Sequence, residues 1–186
     1  MSAVFRTRIE HVDTDATGIV HFSRFTSLME TAGMEHLEAH GAGLTAFGAA
    51  GVDLVAAELR VRYLRSAGYR DVIVADAGVG HAGAAWFALA VRLLREEEDG
   101  ARTPLAAGDL VFAAVDPGTR RAVPLPAPLR QALRGIVTDA ARERAHEGLA
   151  TPSPGGPRGA APGHVGHRRA GTGTPSPAVH RPGAGP

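Results

Sequence analysis

The chain has no cysteine, no lysine and no asparagine, and only 5% of it is aromatic. Without cysteine there is no disulfide scaffold, thiolate zinc site, iron–sulfur cluster or cysteine nucleophile. Charge of neither sign prevails: 20 basic residues face 19 acidic ones, for a net charge of +1. Nothing in the bulk electrostatics therefore calls for nucleic acid or an anionic membrane as partner. No run of 18 apolar residues occurs, so no membrane-inserted helix is expected. The start, MSAVFRTRIEHVD, alternates in polarity and carries acids, unlike a secretory signal. A cytoplasmic protein is expected. The missing lysine and asparagine, with abundant Ala and Gly, fit a GC-rich coding sequence and carry no chemistry.

What is present suffices for one domain. The chain has 186 residues, 44% of them hydrophobic, enough to bury a core. Residues 1–150 read as that domain and 151–186 as a separate tail. The tail holds 8 of the 13 prolines and 9 of the 24 glycines, no acid, and nothing apolar larger than Val165 and Val179. Such a segment buries too little surface to offset its ordering entropy, so disorder is expected. Its histidines, His164, His167 and His180, have no acidic or thiol companions and are read as solvated.

Within the domain, residues 4–12 alternate as a half-buried strand, with Phe5, Thr7, Ile9 and His11 on one face. A polar turn, Asp13-Thr-Asp-Ala-Thr-Gly18, follows. Phe22, Phe25, Leu28, Met29, Ala32, His36 and Leu37 then take helical spacing, with Ser23 as the expected N-cap and Gly41 and Gly43 beyond the end. A small-residue connector leads to strands at 54–65, 71–79, 84–95 and 105–115. Residues 80–83 and 116–119 read as turns, and a last helix is expected over 129–147. Consecutive strands with short connections favour an antiparallel sheet. The fold class expected is α+β: a five-stranded antiparallel sheet wrapped around one long helix, plus the C-terminal helix and the disordered tail. A single sheet around one helix leaves edges and a face open, so a homo-oligomer is expected.

The segment 13–22 carries the most chemistry. It places two carboxylates and a glycine just before a helix N-terminus, where backbone N–H groups are free and the dipole is positive. Two readings follow from the spacing. Asp13 and Asp15 cap the helix and satisfy loop amides, or one of them acts as base or nucleophile on an acyl carbon whose oxyanion the helix end holds.

Asp13-Thr-Asp15-Ala-x-Gly18-x-Val20, with Phe25, Glu30, Ala32 and Glu35 at fixed offsets, resembles the hotdog-fold acyl-CoA thioesterases, in particular the 4-hydroxybenzoyl-CoA thioesterase-like group. Tyr63-Leu-Arg and the stretch Val115-Asp-Pro-Gly-Thr-Arg-Arg-Ala-Val-Pro-Leu-Pro support it; the resemblance covers about residues 4–135. It implies hydrolysis of an acyl-CoA or acyl-carrier-protein thioester, no cofactor and no metal, and a site built between subunits of a homodimer or homotetramer. By position, Asp15 looks like the catalytic carboxylate, as nucleophile or general base. The N–H of Phe22 looks like the carbonyl-polarising donor, and Gly18 would let the backbone approach the acyl group. The chain departs from its relatives in carrying His21 one residue before the position where several members have histidine. It has Ser66 where proline is usual, and Gly-Ala-Ala at 83–85 where a hydroxyl is frequent.

Other candidates follow. Glu30 matches the helix glutamate that relatives with another layout use as base; a contact to a loop or a partner subunit is the alternative. Arg60 and Arg62 share one strand face, read either as a solvated surface or, with Tyr63, as the substrate-binding contact for coenzyme A phosphates or an acidic carrier. His36 and His40 have the spacing of a helical zinc pair but no third ligand. His11 is expected in the interior and His81 in an exposed turn. Two other functions fit the same fold: a 3-hydroxyacyl-thioester dehydratase or hydratase using His21 with an acid, and a non-catalytic acyl-thioester-binding protein.

Overall fold

The computed structural model describes residues 5–138 and Ala141, all within one compact unit, Met1–Gly156. The expected tail at 151–186 and the distal part of the expected last helix lie outside the described residues.

The elements follow in the order β1 (Phe5–Arg8), a 3-10 turn at His11–Asp13, α1 (Phe22–Ala39), α2 (Leu44–Ala49), β2 (Asp53–Tyr63), β3 (Val72–Ala82), β4 (Trp86–Glu96), β5 (Arg102–Val115) and α3 (Ala127–Gly135). The five strands form one antiparallel sheet in the spatial order β1-β3-β4-β5-β2. This is the architecture expected from the order of elements.

Helix α1 lies on the inner face of the sheet. Phe25, Leu28, Met29, Ala32 and Leu37 are buried, at the three- and four-residue spacings that make one helical stripe. They meet Leu89, Val91, Leu93, Leu110 and Phe112 of β4 and β5 in a single core. Each large apolar side chain withdrawn from water there contributes roughly 1.5–3 kcal/mol. Phe47 of α2 stacks on Phe87, which stacks in turn on Phe112. The connector expected at 42–51 thus contains a short helix, which closes one end of the core.

Several boundaries differ from the sequence expectation, each for a local reason. β1 stops at Arg8, four residues early, because Glu10 and Asp13 form a reciprocal cap that turns the chain; the Glu10 N–H donates to Asp13 Oδ2 at 2.9 Å. His11 is consequently exposed in that turn rather than interior. β3 runs on to Ala82, into the expected turn at 80–83, by absorbing a bulge between Val79 and His81. His81 is exposed as expected but lies in the strand, stacked on Trp86. Helix α3 begins at Ala127 behind Pro126 and is capped at Ile136, so the expected helix is interrupted there; the positions from 142 to 147 lie outside the described residues. Beyond it Val137 bridges to Val79, and the Thr138 N–H donates to the Val79 carbonyl at 3.2 Å.

Candidate active site

The loop 14–20 folds as a small closed hairpin that feeds α1. Thr14 pairs with Val20, the Asp15 N–H donates to the Ile19 carbonyl at 2.8 Å, and the Gly18 N–H returns to the Asp15 carbonyl at 3.0 Å. Gly18 sits at φ +80°, a conformation that a side chain strains, with open space around the position a Cβ would take. Its glycine is thus required by backbone conformation rather than by crowding. The loop is anchored from outside by the Val20 N–H on the Ala67 carbonyl (2.8 Å) and a bridge from Ile19 to Gly68.

The two aspartates, identical in chemistry and two residues apart, do different work. Asp13 is tied inward. Its Oδ1 pairs with Arg24 Nε at 2.8 Å, its Oδ2 accepts from the Glu10 N–H, and its carbonyl accepts from the His21 N–H at 3.0 Å. It thereby fixes the start of α1. Asp15 is exposed. Its Oδ1 accepts the Thr17 hydroxyl at 2.6 Å, the Thr17 N–H at 2.8 Å and the Ile19 N–H at 3.3 Å. Among the described residues no donor reaches its Oδ2. The Thr17 hydroxyl, then the Thr17 N–H, hold the Asp15 carboxyl below its ordinary value, with smaller help from the Ile19 N–H and the charge of His21. Asp15 is therefore an anion at neutral pH.

The helix end beside this loop carries an unused donor. His21, not Ser23, is the N-cap: its Nδ1 accepts from the Ser23 N–H at 3.4 Å and lies 2.8 Å from Ser23 Oγ. The Arg24 N–H is taken by the His21 carbonyl. Among the described residues the Phe22 N–H has no acceptor, and Phe22 is 65% exposed. An amide without an acceptor at the positive end of an 18-residue helix is suited to donate to an oxyanion. Tyr63, at the end of β2, closes the other side: its hydroxyl donates to the Phe22 carbonyl at 3.3 Å and its ring stands edge-on to Phe25.

The remaining candidates are distributed around this junction. His21 borders an open cleft of about 440 Å³ with Asp13, Thr14, Ser23, Arg24 and Ser27. Glu30, exposed on the third turn of α1, lines a second cavity of about 180 Å³ between α1 and β2, with Glu58, Leu59 and Phe112. Arg60 and Arg62 alternate with Val61 and Tyr63, so they occupy the face of β2 turned away from α1. There Arg60 lies opposite the buried Asp109 in register and pairs with Glu58 at 2.5 Å, while Arg62 is exposed. The structure therefore gathers Asp15, Gly18, His21, Phe22 and Tyr63 at one junction and sets Glu30, Arg60 and Arg62 apart from it. Thr17 is the residue that sequence reasoning missed, since the motif leaves its position unspecified. Its signal is the Asp-x-Thr spacing that favours an Asx turn. Among the described residues no group of three or more His, Asp or Glu is arranged to hold a metal ion, and no helix is long and apolar enough to cross a membrane.

Solved structures of similar shape share this fold. A hypothetical protein from Thermus thermophilus aligns at 23% identity, covering 71% of this chain and 97% of its own, with a TM-score of 0.63. A 1,4-dihydroxy-2-naphthoyl-CoA thioesterase from Synechocystis aligns at 20% identity over 70% of this chain and 93% of its own, TM-score 0.62. A mutant 4-hydroxybenzoyl-CoA thioesterase complexed with 4-hydroxybenzoyl-CoA aligns at 18% identity over 69% and 96%, TM-score 0.62. No curated protein matches the sequence. The family model of the thioesterase-like superfamily matches residues 9–133, from the turn after β1 into α3. With its five-stranded sheet curled on one helix, the chain belongs to the thioesterase-like superfamily of hotdog-fold proteins and is a thioester hydrolase.

Proposed function

We propose that the substrate is an acyl thioester of coenzyme A or of acyl carrier protein, cleaved at the junction of the 14–20 loop with α1. Asp15 Oδ2 attacks the thioester carbon directly, or removes a proton from a water that attacks. In the first case an acyl–Asp15 anhydride forms, the thiolate leaves and takes a proton from solvent, and water then releases the free acid. In the second the water's oxygen bonds to the carbonyl carbon while its proton passes to Oδ2, and the carbon–sulfur bond then breaks, the leaving sulfur taking that proton to give acid and thiol and to restore the carboxylate. In both, the carbonyl oxygen gathers negative charge, which the Phe22 N–H and the α1 dipole stabilise. Tyr63 borders the acyl group, and Arg62 with Arg60 meets the phosphates of the carrier beyond the edge of β2. The named substrates of the structural neighbours, coenzyme A thioesters of aromatic acids, support this substrate class.

The observation that carries the reading is that, among the described residues, one oxygen of the Asp15 anion has no donor and the Phe22 N–H has no acceptor, on two exposed residues at one junction. It is tested by thiol release from benzoyl-CoA, octanoyl-CoA and octanoyl–acyl carrier protein. Asp15→Asn should keep the wild-type circular dichroism and lose about three to four orders of magnitude in turnover. Wild-type rates in that variant defeat the assignment. A crotonyl thioester supplied in parallel should be hydrolysed without addition of water to its double bond.

We further propose that the working unit is a homodimer or a homotetramer built from it. β2 is an 11-residue strand at the edge of the sheet, and Val12, Ile19, Phe22, Leu59 and Tyr63 expose large apolar surface on the loop, helix start and strand around the site. A second copy seated there would cover them.

A further inference from the structure

A free carboxylate has two equivalent oxygens and turns easily about its last torsion, so nothing in an exposed aspartate chooses which oxygen meets a substrate. Asp15 lacks that equivalence. Three donors converge on Oδ1, and two of them, the hydroxyl and the N–H, belong to Thr17. The hydroxyl contact, 2.6 Å, lies in the short range of an O–H donor on an anion. The backbone beneath is pinned at both ends, by the Asp15 N–H on Ile19 and the Gly18 N–H on the Asp15 carbonyl, so the Thr17 donors arrive in a fixed direction.

We propose that Thr17 is a positioning residue that occupies Oδ1 of Asp15 and so presents Oδ2 as the reacting oxygen. This rests on the catalytic reading of Asp15 given above. Thr17 touches no reacting atom; it acts through the carboxylate. With Oδ1 saturated, Oδ2 keeps its lone pairs for the acyl carbon or for a water proton, and the carboxylate plane cannot swing. The same two contacts keep the group ionised into more acidic solution. Thr17 should therefore set both the turnover and the acid limit of activity. A loop residue that served folding alone would move neither.

The test compares wild type, Thr17→Ala, Thr17→Ser and Asp15→Asn on benzoyl-CoA or octanoyl-CoA, whichever the wild type cleaves faster. kcat/KM is measured against pH, and the Asp15 carboxyl carbon is titrated by NMR without substrate. Thr17→Ala should lower kcat roughly ten- to a hundredfold, with KM changing less than threefold. Its acid limb and its Asp15 titration should both move up toward an ordinary aspartate. Thr17→Ser, which keeps the hydroxyl, should restore all three. If Asp15→Asn is inactive while Thr17→Ala keeps the wild-type kcat and acid limb, this inference fails and the catalytic reading stands. If Asp15→Asn hydrolyses at the wild-type rate, both fall together.

Discussion

At the scale of single residues, the proposed site turns on how hydrogen bonds divide two aspartates. Asp13 spends both oxygens on Arg24 and the Glu10 amide, so its carboxylate is a structural brace. Asp15 spends one oxygen and offers the other. Its depressed titration has a consequence for stability. Asp116 shares it: the Thr119 N–H and then the Thr119 hydroxyl hold its carboxyl below the ordinary value, in an Asx turn like that of Asp15. Glu97 is lowered too, through the Thr103 hydroxyl and then Arg95. A group depressed in the folded state contributes stability that is complete above its unfolded value and is lost as pH falls through its folded one. The ordinary values are 3.8 for the aspartates and 4.5 for Glu97. Thermal unfolding temperature should thus be insensitive to these three groups near neutrality and should fall progressively as pH drops below about 4.5. Replacing all three by their amides should flatten that acid limb, as followed by circular dichroism melts; an unchanged limb would assign it to other carboxylates.

At the scale of elements, the long helix and the sheet approach closely at two glycines that differ in what surrounds them. A Cβ on Gly108 in β5 would lie 2.5 Å from the Arg60 carbonyl oxygen and 3.1 Å from Met29 Sδ. The first of these is backbone of the paired strand and cannot swing aside. A Cβ on Gly33 in α1 would lie 2.8 Å from Leu89 Cδ1, the end of a side chain that can rotate. Alanine in a helix interior also gains about 1 kcal/mol over glycine, which offsets the crowding at Gly33. In urea titrations Gly108→Ala should lose about 1–3 kcal/mol, an ordinary overpacking cost, whereas Gly33→Ala should stay within about 1 kcal/mol of wild type. Equal losses at both positions would show that Leu89 is as immovable as the strand. The helix start belongs to this scale as well. His21 caps α1 through Nδ1, which leaves the Phe22 amide, one residue on, as the donor that the loop does not consume.

At the scale of the molecule, the proposed site lies on the surface of one chain rather than in a closed cavity. Asp15 and Phe22 are both exposed, and so is the apolar surface of Val12, Ile19 and Tyr63 around them. A hydrolase that meets a thioester in that setting gains shape and dryness from a neighbour, because electrostatic stabilisation of an oxyanion weakens in bulk water. Sedimentation equilibrium of the full chain should therefore give a dimer or tetramer at micromolar concentration. Dilution to monomer should cost thiol release out of proportion to the enzyme removed. A monomer of undiminished specific activity would place the whole site within one chain.

How far the sequence reaches differs at each of these levels. Periodicity alone placed α1 to within a residue or two, because Phe25, Leu28, Met29, Ala32 and Leu37 repeat at helical spacing and face one core. The strand count and the antiparallel sense also followed from chain order and short connections. The motif from Asp13 to Val20, through its resemblance, marked the loop and helix start. The spatial position of β2, which follows α2 in sequence yet pairs with β5 at the far edge, depends on which hydrogen-bonding edge is left once β3, β4 and β5 have paired; no local signal encodes it. The division of labour between Asp13 and Asp15 is likewise tertiary. Two residues of one chemistry were separated only when Arg24, a turn into the helix, claimed the first and Thr17, within the loop, claimed one oxygen of the second. Composition and spacing determine which groups are available. Which of them is left with an unspent lone pair or amide proton is decided by where every other donor and acceptor in the folded chain has gone.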